Sequence, residues 1–145
     1  MTNIESSEVV KQVLAELFTI AKRKTNEGYA ISIMNSLLHQ LQDQYSFLEH
    51  IQIKDTRYLE GEESVSVLSI IDATPAPLLG KALRSILLSM NETLGVNAGF
   101  FMIKELKNRI DDSYHYTLID EMRLDLGLLQ LECEVSKMQK ELQEK

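Results

Sequence analysis

Asp111, Asp112 and His115 have the types and spacing that chemistry needs. Steps of three and four residues on a helix set a carboxylate beside an imidazole. Such a pair can orient a general base or supply two of three metal ligands. The sequence brings no Cys and no further His near them. The plainer reading is a surface pair at a helix start, where acids suit the dipole. His39 and Asp43 repeat the i, i+4 spacing, but His39 lies beside Leu38 and near Leu41, at the margin of an apolar face. A partly buried structural histidine is expected there. His50 alternates against Ile51 and Ile53 on an expected strand. Zinc sites need closely paired ligands. Three widely spaced His and one Cys give no such pairing, so neither a metal nor a cofactor is expected.

Cys133 sits between Glu132 and Glu134. Acidic neighbours raise a thiol pKa and so work against a nucleophilic role. The run Gly95-Val96-Asn97-Ala98-Gly99 is the closest approach to a phosphate-binding loop, but it lacks a preceding strand and a Lys-Ser/Thr pair. It reads as a turn between two helices. Met34, Met90, Phe100 and Phe101 could line an apolar ligand pocket, although such side chains more often fill a core. In the acidic stretch from Asp55 to Glu63, Arg57, Tyr58 and Leu59 form an aromatic and apolar group among charges, which is interface-like.

The elements that would carry these residues are mostly helical. Val10, Leu14, Leu17 and Ala21 make one stripe of a helix from Ser6 to Lys24, with Ser6 or Ser7 able to cap it. Ile33, Leu37, Leu41 and Tyr45 step by four along a second helix, from Gly28 to Tyr45. The period then changes to two. Phe47 to Lys54 and Val65 to Ile71 alternate as the strands of a β-hairpin with a long acidic tip. Thr74 as N-cap and Pro75 at the first helical position open a third helix. That helix is apolar nearly all round from Ala76 to Leu94, so it is expected at the centre of the core, with Gly95 ending it. Asn97 is placed to cap a fourth helix from Ala98 to Ile110, and a weaker helical stretch follows from Tyr114 to Met122.

The last segment has the clearest pattern. Leu124, Leu128, Leu131, Val135, Met138 and Leu142 step by four and three, an a/d heptad seam with charged residues around it. The expected fold is therefore α+β and predominantly helical. It is a single domain over 1–145, with a helix and hairpin body over 1–123 and a C-terminal amphipathic helix over 124–145. The seam wants a partner, either the first helix of its own body or a second chain.

Composition narrows the function. With 145 residues, of which 44 % are hydrophobic and 26 % charged, the chain is ordinary for a globular protein. It shows no apolar run near the ~20 residues a membrane span needs. The polar, acidic start has no basic region of an export signal, so a cytoplasmic setting is expected. The net charge of −7 disfavours nucleic acid and anionic lipid. The middle third is the most acidic part and would attract a basic partner. A winged-helix DNA-binding regulator with a dimerisation tail is weighed against this, but Glu60, Glu62 and Glu63 at the hairpin tip would repel phosphates. The leading expectation is a small acidic regulatory or adaptor-type interaction protein acting as a homodimer. A ligand sensor or a small enzyme using Asp111 and His115 stands as the alternative.

Overall fold

The computed structural model describes residues 5–54, 64–99 and 102–143, with only the backbone of 95–99. Within these residues lie six helices and one two-stranded antiparallel sheet: α1 (Ser6–Lys24), α2 (Glu27–Leu41), β1 (Ile51–Ile53), β2 (Val65–Val67), α3 (Ala76–Gly99), α4 (Met102–Arg109), α5 (Asp112–Tyr116) and α6 (Leu126–Gln143). The fold is α+β and predominantly helical, as the periodicity predicts.

The core is organised around α1 rather than α3. Val9, Val10, Val13, Leu14, Leu17, Phe18, Ile20 and Ala21 are all buried, which leaves α1 only a narrow wet face. It packs against α2, α3, α4 and β2. α3 buries Leu79, Ala82, Leu83, Ile86, Leu87 and Met90, but Leu78 on the same helix is exposed. The near-continuous apolar run of α3 therefore does not make it the hub. Helix α1 has neighbours on more sides.

The hairpin is shorter than the alternation suggests. Only Ile51–Ile53 and Val65–Val67 pair, with Ile51 opposite Val67 and Ile53 opposite Val65. Phe47–His50 and Ser69–Ile71, expected as strand, lie instead in 3-10 turns over Ser46–His50 and Ser69–Ala73. Two strands alone are marginal, and the outer edge of β1 is completed from α2. The Asn35 side chain accepts the Ile53 N–H at 3.1 Å and donates to the Ile53 carbonyl at 2.8 Å. On β2, Val65 is buried while the exposed Leu68 and Ile70 follow it.

Several helix ends also differ from expectation. Neither Ser6 nor Ser7 caps α1. Glu5 holds the cap position without a side-chain bond, and Ser7 is buried. The free end is satisfied from across the chain, since the Asp72 carboxylate accepts the Ser7 N–H at 2.7 Å and the Ser7 hydroxyl at 3.0 Å. The first carbonyl of α3 to accept helical bonds is that of Pro75, from Leu78 and Leu79, so Pro75 rather than Thr74 precedes the first turn. Helix continues through Gly95, Asn97 and Ala98 to Gly99, so none of these ends α3 or caps α4. A helix interior accepts Gly and Asn at a cost of ~1 kcal/mol or less each, which the packing of α3 outweighs.

After α5 the chain makes one turn of π-helix over Thr117–Glu121, closed by Met122 N–H to the Thr117 carbonyl at 3.0 Å. Arg123 then reverses the chain in the left-handed region (φ 60°). Helices α1 and α4 run antiparallel, tied by ion pairs of Arg23 with Glu105 and of Arg109 with Glu16. Burial pushes the Glu105 carboxyl up, but the bond and charge of Arg23, with Arg109 and Lys24, outweigh it and hold Glu105 below the usual range. A lowered folded pKa gives stability that is present above the unfolded carboxyl value, about 4.3, and is lost as pH falls through the folded value. Glu105→Gln is expected to cost less than about 1 kcal/mol near neutral pH, because the group is partly solvated. The gap from wild type should close on acidification. Urea unfolding at two pH values measures it, and a gap that widened in acid would contradict the assignment.

Candidate interaction surface

Helix α6 begins with a local cap, the Asp125 carboxylate accepting the Leu128 N–H at 3.2 Å. Beyond that it presents two different sides. On one side Leu126, Leu129 and Gln130 are buried and Cys133 is half-buried against the core. This side lies on α4. The Gln130 Oε1 accepts the backbone N–H of Lys104 at 3.1 Å, so α6 satisfies a donor in the first turn of α4. Arg84 of α3 adds an ion pair to Glu132 at 2.9 Å.

The other side is the heptad seam, and it faces water. Leu128, Leu131, Val135, Met138 and Leu142 are 55, 57, 52, 60 and 72 % exposed. With Leu128, Val135 and Leu142 at a and Leu131 and Met138 at d, the docked Leu126, Leu129, Gln130 and Cys133 fall at f, b, c and f. Those positions lie on the opposite side of a helix from a and d. The body therefore holds α6 by its back and leaves the seam open.

Leu124 departs from the expected seam. It precedes α6, is buried, and donates its N–H to the Leu118 carbonyl at 2.8 Å. The chain reversal at Arg123 turns it into the body, so the open stripe starts at Leu128. That stripe continues onto the body at Ile119, which is 43 % exposed. Ile119, Leu128, Arg84, Arg123 and Glu132 line a groove of about 240 Å³ there. Ile119 was not legible as a surface residue, because it sits in a weak helical stretch whose facing depends on the π-turn.

The Asp111 and His115 side chains have local duties. Asp111 caps α5, accepting the Ser113 N–H at 3.0 Å and the Ser113 hydroxyl at 2.9 Å, and these bonds hold its carboxyl below the usual range. The His115 Nε2 lies 2.8 Å from the Lys107 carbonyl oxygen, linking α5 to α4. Asp112 is exposed. Among the described residues, no group of three or more His, Cys, Asp or Glu comes together as a metal site would need. His39 is exposed rather than half-buried, since it falls just outside the buried stripe of Met34, Leu37 and Leu38.

Met34 and Met90 are buried in the core. Phe100 and Phe101 lie outside the described residues, as do Arg57, Tyr58 and Leu59. The Cys133 thiol is pushed up, first by burial and then by Glu132, against an opposing effect of Arg84. A thiol held in its protonated form is a poor nucleophile.

No family model, curated protein or solved structure matches the chain. Geometry alone therefore points to function, and the α6 seam is the feature with the most to explain. No described helix is long and apolar enough to cross a membrane.

Proposed function

We propose that this chain is a small acidic regulatory or adaptor-type interaction protein, cytoplasmic, that works as a homodimer joined through the a/d face of α6. The observation behind this is the five-residue apolar stripe, each member more than half exposed, on a helix whose first two turns dock on the body by the opposite side. Pairing would cover about 500 Å² on each copy and about 1,000 Å² in all, near the lower bound for a specific interface. A second copy offers a stripe of the same period. The first two turns of the helix, Leu126 to Cys133, already pack on the body, which lowers the ordering entropy that opposes association.

The test is sedimentation equilibrium on the full chain over a range of concentrations, with native mass spectrometry alongside. Wild type is expected to reach dimer by tens of micromolar. Leu131→Glu combined with Met138→Glu is expected to be monomeric, weakening association at least 100-fold, since each buried charge costs several kcal/mol. Because both positions face water in the single chain, the variant should keep the wild-type helical circular dichroism. A wild type that stays monomeric at 100 µM would remove the homodimer reading.

A further inference from the structure

We infer that the second copy pairs with α6 in parallel and in register. This rests on the homodimer reading. The flanks of the seam decide the direction. The e positions are Asp125, Glu132 and Gln139, and the g positions are Gly127, Glu134 and Glu141. Every charge on these flanks is acidic. In a parallel pair each g residue meets the e residue of the next heptad on the other copy. Glu134 then meets Gln139, and Gly127 meets Glu132, so no two acids face each other. An antiparallel pair over the same layers sets Glu134 against Glu134, where like charges repel, and brings together the two Glu132 carboxylates, each already paired with its own Arg84.

A further feature agrees. The extension of the stripe onto the body at Ile119 lies only at the Leu128 end of the helix. Parallel pairing sets both Ile119 residues beside the paired Leu128 layer. An antiparallel pair sets each Ile119 beside the far end of the other helix, where Leu142 stands among Gln139, Glu141 and Gln143. The docked b, c and f side places each body outside the pair, one on either flank and both at the same end, with α6 between them.

The experiment is disulfide mapping in the full chain, with Cys133→Ser as background. In a parallel, in-register pair position 135 faces its own copy, and a disulfide needs Cα atoms within about 7 Å. Val135→Cys is expected to convert most of the protein to a linked dimer under mild oxidation. In an antiparallel pair position 135 faces position 131 of the other copy. A mixture of Leu131→Cys and Val135→Cys chains that links across the two types, while Val135→Cys alone does not, would overturn the parallel arrangement and keep the homodimer. Failure of every chain to link, with a monomeric wild type in sedimentation, would overturn both.

Discussion

Gly80→Ala is expected to destabilise the fold by about 3 kcal/mol or more. Gly80 lies in the second turn of α3, where alanine is the better helix former by ~1 kcal/mol. Helix propensity alone therefore predicts a gain. The tertiary structure reverses the sign. A Cβ on Gly80 would stand 1.8 Å from the Met122 carbonyl oxygen and 2.8 Å from its carbon. Those are backbone atoms at the end of the π-turn, just before the left-handed Arg123. They cannot rotate away as the tip of a side chain would. Relief would require α3 to move off the segment that leads into α6, opening the packing around the buried Met122 and Leu124. Gly127→Ala is the matched control. Its Cβ would meet the flexible end of Lys107, with the Nζ at 3.2 Å, and a neutral or slightly stabilising change is expected. Urea unfolding of both variants decides it. A Gly80→Ala protein as stable as wild type would show that α3 and the π-turn do not approach this closely.

Leu87→Ala and Leu131→Ala are the same chemical change with different expected consequences. Leu87 is fully buried in α3. Its truncation should cost about 3–4 kcal/mol, from lost transfer energy and the cavity left behind. That cost should not depend on protein concentration. Leu131 is 57 % exposed on α6, so its truncation should scarcely affect the fold of a single chain. Through the proposed dimer it should still lower the thermal midpoint, because a partner that binds only the folded state stabilises by mass action. The difference from wild type should then grow with protein concentration. Thermal unfolding at 2 µM and 200 µM distinguishes the two. A Leu131→Ala midpoint that tracks wild type at both concentrations would count against burial of the seam between copies.

The caps show how much of this fold is legible locally. Asn26 accepts the Tyr29 N–H, Asp111 accepts the Ser113 N–H and Asp125 accepts the Leu128 N–H, all within a few residues. Short-range chemistry of that kind can be read from neighbouring letters. The caps of α1 and α4 cannot. They come from Asp72, 65 residues from Ser7, and from Gln130, 26 residues from Lys104. Neither pair leaves a local signature. The strands were overextended for a related reason. Alternation from Phe47 to Lys54 is compatible with a strand, but a strand lasts only while a partner runs beside it, and β2 offers three residues.

The helical periods and the four–three stepping from Leu128 to Leu142 were legible in the letters, because each is set by side chains within a turn or two of one another, and the acidic balance is a plain sum over the chain. Tertiary structure alone decided that α1 is the hub, that Gly80 must lack a side chain, and that α6 docks on α4 by its b, c and f side. That last choice depends on Leu126, Leu129 and Gln130 meeting α4, where Gln130 takes the Lys104 N–H. It leaves the a/d face in water, because a helix held by one side cannot bury the opposite side against the same body.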